Sequence, residues 1–331
     1  MLTETDRRFL AAALRLGQAE LGRTWPNPAV GCLIVRDGVV VGAGATGRGG
    51  RPHGETRALD EAGAAARDAT AYVSLEPCNH HGKTGPCTDA LIEAGVARVV
   101  IALGDPDSRA SGSGVARLRE AGIEVAFEPF ADVKKVAQRV HRGHITRVAK
   151  GRPHVTLKLA LSADLGIGRP GEGQVAITSA QTNRLMHGLR ARMDAIAVGA
   201  GTYQADTPQL TVRLPGLSDR SPQRVLFGGR NAAASWIHLP GHDLKSGLGD
   251  LAARGITSLL IEGGAKLAVS FLHDGLVDEV LLIKGEPVMG LKAVRPFVSD
   301  PTVEGWSGFS IAGRRQSGPD QIVTYWPTGK A

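Results

Sequence analysis

The chain has 331 residues, 42% apolar and 21% charged, which excludes a mostly disordered protein and fits about two domains. No apolar run approaches the roughly 20 residues of a membrane helix, and the opening MLTETDRRFL lacks the apolar core of a signal peptide, so a cytoplasmic protein is expected. The net charge of +7 suits an anionic ligand, a phosphate ester or a nucleic acid, and 3 cysteines point to metal or catalysis and not to a disulfide framework.

In chain order, Thr3 to Gly22 reads as an amphipathic helix, because Phe9, Leu10, Ala13, Leu14 and Leu21 recur at helical spacing. A Pro-rich loop, TWPNP, precedes an apolar run from Ala29 to Val35, and Asp37-Gly38 between that run and Val39-Val40-Val41 predicts a hairpin. Helix and strand then alternate: helix 54–67, strand 70–75, helix 86–95, strand 97–103, helix 113–121 and strand 122–127. Such units with short connections build a sheet covered by helices. A basic helix from Ala131 to about Val148 ends near Lys150-Gly151-Arg152-Pro153, where a domain boundary is placed, giving domains 1–148 and 149–331. The alternation restarts with strand 154–161, helix 179–192, strands 194–199, 223–227 and 257–262, helix 264–274 and strand 277–284. Few periodic signals follow, apart from a closing strand at Gln321–Tyr325.

Two of these helix starts carry chemistry. His53-Gly54-Glu55 opens one, and Pro77-Cys78 through Cys87 leads into another, each just after a strand. One imidazole and two thiolates make a tetrahedral zinc site with its fourth position open for water. Zinc lowers the pKa of that water towards ~7. Glu55 has the right chemistry to take the water's proton and deliver it to a leaving amine. H-x-E followed by P-C-x-x-C is the signature of zinc nucleobase deaminases. Here eight residues, Asn79 to Pro86, separate the cysteines. Cys32, inside an apolar run, reads as core.

The stretches PNPAVGCLIV, HGE and LEPCNHHGKTGPCTDALIEAGV resemble the bifunctional deaminase–reductase family of riboflavin biosynthesis, the RibD family. The resemblance is dense over residues 5–130 and looser over 150–285. It implies a cytidine-deaminase-like three-layer α/β domain followed by a dihydrofolate-reductase-like α/β domain. The first would remove the 2-amino group of 2,5-diamino-6-ribosylamino-4(3H)-pyrimidinone 5′-phosphate, a small phosphorylated pyrimidine. The second would use NADPH to reduce the ribosyl group to ribityl. It further implies that His53, Cys78 and Cys87 bind one zinc per chain and that Glu55 shuttles protons. Asn27 matches the asparagine that holds the ring, and His80 and Lys83 match loop residues near the substrate. The family usually has Ala in place of Gly54, a change expected to free the backbone and leave the ligands in place.

The second half lacks a G-x-G-x-x-G fingerprint. Its nearest substitute is Glu262-Gly263-Gly264, between an apolar strand and a helix, where a pyrophosphate can approach free amide groups. Carried over from the family, Arg190, Leu210, Arg213 and Glu262 would contact substrate, the two arginines on its phosphate. Ala160, Thr202, Asp206 and the run Gly264, Ala265, Lys266 and Leu267 would contact NADPH. Departures gather here: Gln174 and Ala176 replace the family's Ser and Trp at a substrate and a cofactor position, and Gly228-Gly229 replaces Asp-Ser. Ser-x-Asp-Gly becomes Ser162-Ala163-Asp164-Leu165-Gly166.

A bifunctional enzyme is therefore expected, with a homo-oligomer as its assembly. The competing reading keeps the deaminase and leaves the second half to ligand binding or oligomerisation. Nucleic acid is not an expected partner, because bases need stacking platforms and the chain has only 7 Phe, 4 Trp and 3 Tyr. A purely structural zinc site would leave Glu55 without a role.

Overall fold

The first helix, α1 (Glu4–Ala19), starts where Thr3 can cap it: the Thr3 hydroxyl accepts from the Asp6 amide, and the Asp6 carboxylate accepts from the Thr3 amide at 2.8 Å. The same carboxylate is buried and accepts from Arg98 Nη1 at 2.7 Å and from the Tyr72 hydroxyl at 2.8 Å, which ties the helix to the sheet. Burial pushes the Asp6 carboxyl up, but the hydrogen bonds from Arg98, Thr3 and Tyr72 outweigh it and hold it well below the usual range. A depressed folded pKa gives stability that is present above the unfolded value of about 3.9 and lost as pH falls through the folded one. Asp6→Asn should therefore cost about 3 kcal/mol at neutral pH, as expected for breaking a buried pair, and should flatten the loss of stability below about pH 4. Urea unfolding at several pH values checks this; parallel curves for both proteins would mean that Asp6 is not the source.

The computed structural model describes residues 2–82, 84–107, 111–127, 130–169, 171–172, 175–230, 232–297 and 299–329. The chain forms two compact units, Met1–Arg152 and Pro153–Ala331. The first continues with β1 (Gly31–Arg36), β2 (Val39–Ala45), α2 (Gly54–Ala62), β3 (Thr70–Val73), α3 (Cys87–Glu93), β4 (Arg98–Ile101), α4 (Ser113–Glu120), β5 (Glu124–Phe127), α5 (Ala131–Val140) and α6 (Arg142–Lys150). Its five strands lie in the order β2-β1-β3-β4-β5, with β1 antiparallel to both neighbours and β3, β4 and β5 parallel. Asp37 and Gly38, both at positive φ, make the tight turn of the hairpin.

Strand alternation sends side chains to two cores. Cys32, Ile34, Val73, Val99 and Ile101 pack with Ala58, Leu91 and Leu118, while Leu33, Val35, Tyr72 and Val100 pack with Leu10, Leu14, Val133 and Val140. The result is a sheet between two helical layers, and Cys32 is fully buried in one of them. The expected helix 54–67 stops at Ala62, where Gly63 takes positive φ before a short 3-10 turn. The expected basic helix is two helices: His141 leaves helical geometry between α5 and α6 and turns its buried ring inward onto Ser74.

The second unit comprises β6 (His154–Leu161), α7 (Ala180–Arg190), β7 (Ala195–Gly199), α8 (Ala200–Asp206), β8 (Gln223–Phe227), β9 (Ile237–Leu239), α9 (Leu244–Ala253), β10 (Ser258–Ile261), α10 (Ala265–His273), β11 (Glu279–Lys284), α11 (Pro301–Glu304), β12 (Phe309–Ser317) and β13 (Asp320–Pro327). The strand order is β12-β13-β11-β6-β10-β7-β8-β9. The run from β11 to β9 is parallel, and β13 and β12 add antiparallel strands at one edge. Four parallel strands, β6, β10, β7 and β8, thus present adjacent carboxyl ends, where open α/β sheets bind ligands. Among the described residues, no helix is long and apolar enough to cross a membrane.

Candidate functional site

In the first unit His53 is the residue that caps α2, Cys87 opens α3, and Cys78 follows β3 by a short connection. The helix starts leave free amides and a positive end beside the ligand atoms. Their donor atoms all lie within 4.8 Å of one another. His53 Nδ1 is 3.2 Å from Cys87 Sγ and 3.6 Å from Cys78 Sγ. Tetrahedral zinc, with metal–ligand bonds near 2.1 and 2.3 Å, needs a nitrogen–sulfur separation of about 3.6 Å. The residues fit the metal.

The two thiols titrate as a pair. The Cys87 thiol, the His53 ring and the Cys87 amide, whose N–H points at Cys78 Sγ at 3.4 Å, favour the Cys78 thiolate and bring its pKa down to about 4 against burial. The bond to Cys78 and burial push the Cys87 thiol up. One proton is therefore held between two sulfurs, and metal binding at such a pair releases it. The neighbouring turn is fixed by Glu76, a buried carboxylate that accepts from the amides of Asp105, Gly112 and Val115 at 3.2–3.3 Å.

Glu55 lies in the first turn of α2, 3% exposed, and its Oε2 is buried with no hydrogen-bond partner among the described residues. Burial, then the Cys78 charge, pushes its pKa up to about 7. One oxygen of this carboxylate is thus left unpaired beside the metal donors. Gly54 serves packing: a Cβ there would come within 2.5 Å of the Val30 carbonyl oxygen, and its φ is not positive. Asn27 Nδ2 donates to Gly50 O at 2.9 Å and lies 3.2 Å from His53 Nε2, so it borders the same site. His80 is exposed on the loop between the cysteines, and Lys83 lies outside the described residues.

In the second unit the expected residues gather at the strand ends. Arg190 makes a two-pronged pair with Glu262, Nε to Oε1 and Nη2 to Oε2 both at 2.8 Å, and its Nη1 donates to Thr211 O at 3.3 Å. Burial opposes both charges, yet the pair's own hydrogen bonds win and hold Glu262 below the usual carboxylate range. Arg213 is exposed, and its amide donates to His187 Nδ1 at 3.3 Å. The Leu210 side chain is buried with Met193, Ile196 and Leu226, so only its backbone can face a ligand. Thr202 Oγ1 accepts from the Gly264 amide at 3.0 Å and shapes the turn before α10, whose first-turn residues Ala265, Lys266 and Leu267 follow. Ala160 ends near the carboxyl end of β6 and Asp206 closes α8. Ala176 is exposed on a segment whose Ile177 packs against Gly285, and Gln174 lies outside the described residues.

Sequence reasoning missed two basic residues here. His187 lies one turn before Arg190 on α7, its pKa lowered by burial and by the Arg190 and Arg213 charges. Lys158 shares a β6 face with Ala160 and its charge acts on Glu262. The period-2 spacing of Lys158 and Ala160 was the available signal.

Fold and site together define a two-part α/β protein with a deaminase-type metal centre in its first unit. Residues 3–103 match the cytidine and deoxycytidylate deaminase zinc-binding region, and residues 153–321 match the RibD C-terminal domain. The chain belongs to the RibD family. It is 37% identical to the riboflavin biosynthesis protein RibD of Escherichia coli, over 87% of this chain and 89% of that one. With the Mycobacterium tuberculosis protein of the same name it shares 40% identity, over 82% of this chain and 84% of that one. Among solved structures, Acinetobacter baumannii RibD superposes with a TM-score of 0.88 at 32% identity, covering 98% of this chain and 99% of that one. The diaminohydroxyphosphoribosylaminopyrimidine deaminase/5-amino-6-(5-phosphoribosylamino)uracil reductase of Thermotoga maritima gives 0.86 at 31%, with the same coverage.

Proposed function

We propose that this chain is both a deaminase and a reductase, the two activities in the Thermotoga protein's name, and that it deaminates a phosphorylated diaminopyrimidine hydrolytically and then reduces its ribosyl group with NADPH. The observation that carries the reading is the unpaired buried oxygen of Glu55 beside three converging metal donors, His53, Cys78 and Cys87. Zinc, when bound, lowers the pKa of water towards ~7. Glu55 takes up a proton there and returns it to the leaving amine, a transfer suited to a carboxyl whose pKa lies near the working pH. Asn27 orients the pyrimidine ring, and His80 and Lys83 are assigned to the same substrate.

In the second unit NADPH, when bound, supplies the reducing equivalents. The amides of Ala265, Lys266 and Leu267 at the start of α10 suit its pyrophosphate, with Gly264 held back by Thr202. Ala160, Asp206 and Ala176 line its remaining path. Arg213 binds the substrate phosphate, with Arg190, Glu262 and the Leu210 backbone beside it, and Gln174 is assigned to the same substrate. A cytoplasmic setting, which keeps thiols reduced, suits three free cysteines. The assembly is a homo-oligomer in this reading; a monomer in sedimentation would remove that part of it.

The two arginines separate by experiment. Arg213→Ala should weaken binding of the sugar phosphate by about tenfold, the loss of a charge-assisted hydrogen bond, with normal folding and unchanged NADPH affinity. Arg190→Met should instead cost about 3 kcal/mol of stability, because it leaves Glu262 buried and unpaired. An unchanged Michaelis constant in the first variant, or unchanged urea unfolding in the second, sinks the respective assignment.

Incubating the protein with zinc, substrate and NADPH and following the products by mass tests the whole. Sequential appearance of the deaminated and the reduced product is expected. A product that stops at deamination would leave the second unit as a binding domain.

A further inference from the structure

Helix α6 carries a polar face that neither the zinc site nor the substrate roles explain. His141 directly precedes the helix, and His144 and Arg147 follow at steps of three, so their side chains fall on one face. Each reaches a different loop. His141 Nε2 donates to Ser74 O at 3.1 Å, at the end of β3 that leads to Cys78. His144 Nε2 donates to the Asp105 carboxylate at 2.9 Å, just after β4. Arg147 Nη1 donates to Pro26 O at 3.3 Å, in the loop that carries Asn27.

The middle contact has the furthest reach. Asp105 Oδ1 also accepts from the Asp107 amide at 2.9 Å, and the Asp105 amide donates to Glu76 Oε2 at 3.3 Å, two residues before Cys78. Both partners of the His144–Asp105 bond have side chains only 11% exposed, so water competes weakly for it. A chain of hydrogen bonds thus runs from α6 through Asp105 to the turn that carries a metal donor.

We propose that His144 is a positioning residue of the deaminase: through Asp105 it holds residues 104–107, after β4, against the Glu76–Cys78 turn and so steadies that turn as one wall of the pyrimidine site. The proposal rests on the deaminase reading of that site. His144 makes no hydrogen bond to a metal donor or to Glu55 among the described residues. Losing its bond therefore loosens the wall and leaves the proton-moving group in place. The effect falls on substrate affinity, not on turnover.

Two variants test this. His144→Phe keeps a ring of similar size and removes the donor; His144→Gln offers an amide N–H close to where Nε2 stands. His144→Phe should raise the deaminase Michaelis constant about tenfold, with kcat nearly unchanged, the signature of lost uniform binding. One zinc per chain should remain, and His144→Gln should recover most of the affinity. Independently of turnover, amide hydrogen exchange at Asp105 and Asp107 should quicken about tenfold in His144→Phe alone, because local opening there becomes easier. An unchanged Michaelis constant in His144→Phe overturns the proposal. So do a joint fall of kcat and zinc content, which marks a general structural role, and a glutamine variant no better than phenylalanine. Zinc-loaded wild type that never deaminates overturns the functional reading itself, and the assignment with it, whatever the exchange shows.

Discussion

Glu55→Gln is expected to keep one zinc per chain and to lower deaminase turnover by roughly 100-fold or more, the usual weight of a positioned acid–base group. Glutamine matches glutamate in size and still forms hydrogen bonds, but it cannot carry the proton. The carboxylate is 3% exposed, and its pKa is pushed up to about 7, first by burial and then by the Cys78 charge. It can therefore take a proton and release it again near neutral pH. A nearby cation would shift the balance towards the ionised form, which is the state that accepts. Reduction of the deaminated intermediate should proceed at the wild-type rate. Turnover within tenfold of wild type would move the proton transfer to another group.

The metal centre was legible in the sequence because its residue types are scarce and chemically committed: two of three cysteines and a His-x-Glu pair each follow a strand. The spacing between the cysteines said nothing about the packing around them. That Gly54 sits where a Cβ would strike the Val30 carbonyl is a tertiary fact, invisible to local pattern. So is the break at His141, since apolar spacing continues across it and only the reach to Ser74 gives it a purpose.

The second unit was less legible for a physical reason of the same kind. Helix α9 has Gly247 and Gly249 within it, which blur its propensity, yet Gly247 lets the Phe227 ring approach closely. Strand β12 is largely exposed at a sheet edge and so lacks an apolar face to betray it. Arg190 and Glu262 lie 72 residues apart in sequence, and nothing local shows that they neutralise one another. Lone basic residues such as Lys158 and His187 read as solvated surface until the strands bring them beside that pair.

Cys78→Ser is expected to lose zinc and deamination together. A serine hydroxyl stays protonated at neutral pH, and only the deprotonated ligand binds metal well. Cys78 is the sulfur that its surroundings already hold as a thiolate, through the Cys87 thiol, the His53 ring and the Cys87 amide. Replacing it removes the anion and leaves those donors pointing at a weaker acceptor. The remaining pair, His53 and Cys87, supplies two ligands where zinc needs at least three from the protein. Zinc uptake offers a second measurement, because the proton held between Cys78 and Cys87 must leave when metal arrives. Calorimetric titration of the metal-free wild type at neutral pH, repeated in buffers of different ionisation enthalpy, should show at least one proton released per zinc, the thiol pair's together with the share held by the His53 ring, whose pKa the Cys78 hydrogen bond raises. The serine variant should show no tight binding and no such release. Treating the wild type with a chelator should reproduce the loss of deamination while leaving the reductase step active, since that step uses none of these side chains. If Cys78→Ser keeps one tightly bound zinc and its deaminase activity, the metal donors lie elsewhere and the reading of the first unit fails.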